Sequence, residues 1–182
     1  MKRLLLSLLA TALVVAVLGY GPARCVPVEP TEPVLDTVFV MENRSDHTVF
    51  VQRAVLPEPS WLAVTAGDDP VLIVWDCGMP CHCDTSQGCV VCGMLPPYVT
   101  ELLPGEEVRQ PWDGTRYVIQ QRAGHTCFDT EPMAPQPMSA EFCYGFGATP
   151  GAWEGAHFVT DEECVTLDFE YGAAAEVRLV IE

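Results

Sequence analysis

The sequence predicts an all-β protein, an antiparallel sandwich of about seven to nine short strands stapled by disulfides. Three observations carry that expectation. Short β-branched and aromatic runs recur between turn signals from Thr37 onward. No stretch after Leu18 carries the three-turn apolar periodicity of an amphipathic helix. Nine cysteines, five of them within residues 77–92, stand in a chain that opens like an export signal.

That opening reads MKRLLLSLLATALVVAVLGYGPARC. Lys2 and Arg3 precede an apolar run from Leu4 to Leu18, interrupted only by Ser7 and Thr11. Fifteen residues at about 1.5 Å rise make roughly 22 Å of helix, short of a ~30 Å hydrocarbon core. A charged start, an apolar centre and a small-residue exit predict a secretory signal peptide over residues 1–24. Gly21-Pro22-Ala23 supplies the small-x-small site, with cleavage before Arg24. A second reading keeps Cys25 as a lipid-modified mature N-terminus. Ala23 suits such a lipoprotein signal, while Pro22 and Arg24 depart from it.

Residues 25–35 contain VPVEPTEPV, three prolines interspersed with acids, and read as an extended tether. Removing residues 1–24 leaves 182 − 24 = 158 residues, one domain over 36–182 with room for a true core. It also leaves 9 − 3 = 6 basic residues, all Arg, against 25 acidic ones, a net charge of 6 − 25 = −19. Such a surface repels phosphate backbones and anionic headgroups, so nucleic-acid binding is excluded and membrane contact is expected only through a lipid on Cys25. No lysine remains for Schiff-base or general-base chemistry.

The elements follow in order. Thr37–Met41 and Thr48–Arg53 are strands flanking Glu42-Asn43-Arg44-Ser45-Asp46-His47, a connection of hairpin type. Asn43-Arg44-Ser45 is a formal N-glycosylation triplet, read here as a turn. Val71–Trp75 is a continuous apolar run and predicts a buried central strand. Val108–Gln110 leads through Trp112-Asp113-Gly114-Thr115, a tight hairpin signal, into a returning strand over Arg116–Arg122. Glu131–Met138 has three prolines and reads as loop. Ala140–Tyr144 is a short strand, Gly145–Gly155 glycine-rich turn, and Val165–Tyr171 and Glu176–Ile181 alternating strands. Their number and turn spacing predict an Ig-like sandwich.

The segments ENRSDHTVFV and LPGEEV, the aromatic-Asp-Gly turn and the alternating last strand resemble those of Ig-like domains in exported bacterial envelope proteins. More faintly they are similar to intracellular proteinase inhibitors of the BsuPI type. The likeness spans roughly residues 35–182 and rests on strand-and-turn grammar. The first resemblance implies a non-catalytic envelope module, the second an inhibitor; the cysteines have no counterpart in the inhibitor pattern.

The cysteine cluster reads CGMPCHCDTSQGCVVCGM, with spacing Cys77-x3-Cys81-x-Cys83-x5-Cys89-x2-Cys92. In an oxidising compartment the eight cysteines Cys77, Cys81, Cys83, Cys89, Cys92, Cys127, Cys143 and Cys164 form a disulfide framework. Five in the cluster is an odd number, so full pairing sends at least one to Cys127, Cys143 or Cys164. Cys81 and Cys83 are too close in sequence to bond each other without strain. The preferred arrangement joins Cys143 to Cys164 and Cys127 to a cluster member, stapling a loop over 77–97. The alternative is a metal site in which Cys81, Cys83, Cys89 and Cys92 bind zinc, or copper with help from His82 and a methionine. Cys89-Val90-Val91-Cys92 is formally CxxC, without the strand-to-helix setting of a redox site.

No serine lies in G-x-S-x-G and the histidines show no HExxH pairing, so neither hydrolase pattern is present. Trp112 and Trp153 stand beside glycine turns and are candidate ligand contacts. The expectation is therefore an exported, non-catalytic interaction or structural protein of the cell envelope, with no cofactor and with a protein or envelope component as partner. Metal binding through the cysteine cluster is the runner-up, and proteinase inhibition the third reading.

Overall fold

The structure, a computed structural model, describes residues 36–53, 61–73, 79–80, 96–122, 125–152 and 154–182. The expected signal segment and tether, Cys25, and all five cluster cysteines lie outside the described residues. Among the described residues there are twelve β-strands and no helix. They form three sheets. The first runs β12 (Glu176–Ile181), β1 (Thr37–Asn43), β7 (Glu107–Trp112). The second orders β4 (Asp69–Pro70), β3 (Leu62–Ala66), β10 (Pro137–Pro150), β2 (Val49–Arg53) and β6 (Tyr98–Leu102), with β11 (His157–Glu170) also paired to β10. The third is β5 (Met79–Pro80), β9 (His125–Pro132), β8 (Thr115–Arg122). Pairing is antiparallel except for β1 with β12 and β5 with β9.

Period-two alternation explains the first two sheets. Phe39 and Met41 of β1, Val177, Leu179 and Ile181 of β12, and Val108 and Trp112 of β7 all enter the buried core. From the second sheet come Val49, Val51, Leu62, Val64, Met138, Ala140 and Phe142. The two sets meet around Phe39, whose ring centroid lies 6.1 Å from Trp112, 6.5 Å from Phe142 and 5.7 Å from Phe169. Trp61 closes on Phe142 at 6.1 Å. Each fully buried ring of this cluster contributes about 1.5–3 kcal/mol by leaving water.

The opposite face of the first sheet is charged. Val40 is fully buried there, in register with Arg109 on one side and Arg178 on the other. The arginine stems cover it while their heads pair with carboxylates. Arg178 reaches Glu42 at 2.6 Å, Glu176 at 2.7 Å and Glu107 at 3.0 Å. Arg109 joins Glu107 and Glu176, and Arg44 joins Glu42 at 2.6 Å. Three of the six arginines beyond residue 24 are thus spent within a network of three glutamates.

Two expected hairpins are corrected. β1 and β2 do not pair with each other; β1 lies between β12 and β7, and β2 between β10 and β6. The reason is Asn43, fully buried at the corner between them. Its amide nitrogen donates to the carbonyls of His47 and Leu102, both at 2.8 Å, and its oxygen accepts from Ser45 N and Oγ. Its backbone pairs with the Leu103–Glu106 turn, through Asn43 N to the Glu106 carbonyl and Gly105 N to the Asn43 carbonyl. The chain is thereby turned into the other sheet. The glycosylation triplet is a structural corner, its amide already saturated.

Likewise β7 and β8 do not form a hairpin. At Asp113-Gly114, with Gly114 at φ 75°, the chain leaves the first sheet and β8 pairs with β9 instead. The expected strand over Val71–Trp75 is also corrected within its described part. Val71 and Ile73 are buried, but residues 71–73 carry no strand. Their backbone is satisfied singly, Val71 N by the Val64 carbonyl and the Leu72 carbonyl by Tyr117 N.

The late strands are longer than expected. β10 and β11 pair from Pro137 opposite Glu170 to Pro150 opposite His157, so Gly145–Pro150 belongs to a strand and the turn is confined to 151–156. Gly145 marks close approach: a Cβ there would collide with the Val159 side chain and the Thr160 carbonyl. Opposite this point Asp161 takes φ 53°. Strands β3, β4, β5, β6 and β9 had no counterpart in the sequence reading.

Candidate functional site

Two sulfur features organise the molecule. Cys143 and Cys164 stand opposite each other in the β10–β11 ladder and are disulfide-bonded. On β10 the residues Met138, Ala140, Phe142 and Tyr144 point inward, so Ser139, Glu141 and Cys143 face out. Cys164 is exposed. The bridge therefore ties the hairpin from its solvent face and takes no part in the core. The expected Cys143–Cys164 pair is present.

Cys127 is the opposite case. It lies on β9, is 3% exposed and is disulfide-bonded. Since Cys143 and Cys164 bond each other, its partner lies outside the described residues. Beside it, Met79 of β5 stands in parallel register with Cys127, and Pro80 with Phe128. The cysteine-rich segment thus adds a short strand to the edge of β9. The remaining disulfide candidates Cys77, Cys81, Cys83, Cys89 and Cys92, the zinc or copper alternative at Cys81, Cys83, Cys89 and Cys92, and the lipidation candidate Cys25 all lie outside the described residues.

Of the two candidate ligand tryptophans, Trp153 lies outside the described residues. Trp112 is 2% exposed. Its indole N–H donates to the Thr115 carbonyl at 2.7 Å and its ring lies 4.7 Å from Tyr171. It is a core residue and not the exposed anchor that its place beside a glycine turn suggests. An edge of it does line a cleft of about 460 Å³ where β1 and β7 end beside β8. Asp36, Thr37, Gln110, Asp113 and Tyr117 give that cleft its polar lining, and among the described residues no cationic side chain contributes. Asp113 also accepts from Thr115 N at 2.9 Å, which fixes the turn.

Electrostatics elsewhere follow from pairing. Hydrogen bonds from Arg44, Arg109 and Arg178 hold the carboxyls of Glu42, Glu107 and Glu176 respectively below the usual carboxylate range. The same contacts, Glu176 foremost, raise Arg178. Burial, and then the hydrogen bond to Glu163, pushes the Tyr144 phenol up.

Sequence reasoning missed Glu141, whose carboxylate lies beside the exposed bridge. The spacing Glu141-x-Cys143 in a strand was the available signal, because residues two apart share a face. It also missed the cleft residues Asp36, Gln110 and Tyr117, which come together only when the first and third sheets are assembled. A comparison with protein-family models, curated proteins and solved structures finds no match for this chain.

Proposed function

We propose that this chain is an exported, non-catalytic interaction or structural module of the bacterial cell envelope. In this reading an Ig-like domain presents a disulfide-stapled cysteine-rich loop to a protein or envelope partner. The observation that carries it is the buried, bonded Cys127 on β9 beside the strand contributed by the cysteine-rich segment. A loop anchored both by backbone pairing and by sulfur loses little entropy on binding, which is how rigid recognition surfaces gain affinity. The amino-terminal signal pattern supports the exported setting.

The test is fractionation of the natural host followed by intact-mass and metal analysis of the native protein. The reading expects envelope-located material lacking residues 1–24, with eight hydrogens fewer than the reduced mass for four bridges and no bound ion. Cytoplasmic, full-length protein, or one with four or more free thiols gripping a stoichiometric metal, would overturn it.

A further inference from the structure

The exposed bridge on β10 and β11 is placed for chemistry that a purely structural staple does not need. Four residue pairs share the outward face in register: Ser139 with Asp168, Glu141 with Thr166, Cys143 with Cys164, and Gly145 with Glu162. One carboxylate oxygen of Glu141 and the sulfurs of Cys143 and Cys164 all lie within 4.8 Å of one another. We propose that these three residues form a redox-gated site for a borderline-soft divalent cation such as Zn²⁺, closed while the bridge is intact and opened by a dithiol reductant.

The gate follows from access. Thiol–disulfide exchange requires a thiolate to reach a sulfur, and Cys164 is exposed whereas Cys127 is 3% exposed. The attacking dithiol forms a mixed disulfide with one cysteine and releases the other as a thiolate. Its second thiol then displaces the first cysteine and leaves as a cyclic disulfide. Two electrons and two protons have passed to Cys143 and Cys164. The hairpin does not depend on the bridge, because the ladder continues on both sides of it and β10 also pairs with β3. No core volume is lost, since both sulfurs face outward.

The site follows from donor chemistry. Two thiolates and a carboxylate are zinc ligands at about 2.3 Å and about 2.0–2.2 Å, leaving a fourth tetrahedral position for water. Rotation about the Cα–Cβ bonds separates the sulfurs and brings Glu141, two residues along the same face, into range. Zn²⁺ displaces the two thiol protons as it binds. Glu162 and Asp168 on the same face add negative potential that favours a cation; Asp168 itself accepts from Ser139 Oγ at 2.7 Å.

The experiment treats the native full chain with graded dithiothreitol, traps thiols with iodoacetamide, and maps them by peptide mass. In parallel, Zn²⁺ uptake is read by competition with a chromophoric chelator, with near-UV circular dichroism as the monitor of fold. Cys143 and Cys164 should label at least tenfold faster than Cys127 while the near-UV signal is kept. The partly reduced protein should take up one equivalent of Zn²⁺ and the oxidised protein none. Uptake should vanish in C143S/C164S and weaken at least tenfold in E141Q. The proposal is overturned if Cys143 and Cys164 label only as the near-UV signal is lost. It is equally overturned if the oxidised protein binds as well, if C143S/C164S retains the uptake, or if E141Q binds like the parent.

Discussion

Replacing Asn43 by alanine removes four hydrogen bonds at a fully buried corner: two donated to the His47 and Leu102 carbonyls and two accepted from Ser45. The bond to Leu102 is itself buried, so its carbonyl loses a donor that water does not replace. At about 1 kcal/mol net for each bond, with the orphaned carbonyl at the upper end of that range, the loss comes to about 3–4 kcal/mol. That is a large share of the roughly 5–15 kcal/mol that holds most domains folded. Urea unfolding followed by tryptophan fluorescence measures it. With a slope of about 2 kcal/mol per molar, the midpoint should fall by about 1.5–2 M with the slope unchanged. Ser45→Ala, which removes the hydroxyl but leaves the Ser45 N contact, should cost about 1 kcal/mol. An Asn43→Ala protein within about 1 kcal/mol of its parent would refute the argument that this residue turns the chain between sheets.

Other perturbations test other links. Glu42, Glu107 and Glu176 have lowered pKa values in the fold, so their contribution is present above the unfolded value of 4.5 and lost as pH falls through the folded values. Arg178→Gln should therefore destabilise at pH 7, less than Asn43→Ala does, and the difference from the parent should shrink towards pH 2.5 in urea titrations. Gly145→Ala, whose new Cβ meets backbone, should cost about 1–3 kcal/mol by thermal melting. Gly147→Ala, which meets only the Thr160 hydroxyl, should cost less. Phe142→Ala should lose about 3–5 kcal/mol because the ring is fully buried between Phe39 and Trp61, whereas Phe146→Ala, at 44% exposure, should be nearly neutral.

Strands were legible in the sequence where alternation is local. Thr37–Met41 and Glu176–Ile181 fall within observed strands, and Val165–Tyr171 does so as far as Glu170, because one face of each meets the core. Sheet membership was not legible. Glu42–His47 and Asp113-Gly114 have hairpin chemistry, yet a hydrogen-bonded amide in one case and the pairing of β8 with β9 in the other send the chain elsewhere. Gly145 read as a turn because close packing against Thr160 leaves no local trace. Burial of Val71 and Ile73 was readable, but not that their backbone partners are isolated ones.

The sulfur pairing was partly legible because parity is a global property of the list of cysteines. An odd cluster demands an outside partner, and Cys143 and Cys164 sat on strands expected late in the chain. Glu141 beside the bridge needed the strand's face to be known. The cleft of Asp36, Gln110, Asp113 and Tyr117 needed the assembled sheets.

The most direct test of the account is peptide mapping of the unreduced native protein with attention to Cys127. The account predicts a Cys143–Cys164 peptide and a second in which Cys127 is joined to Cys77, Cys81, Cys83, Cys89 or Cys92. Cys127 recovered as a free thiol, or joined to Cys25, would contradict it.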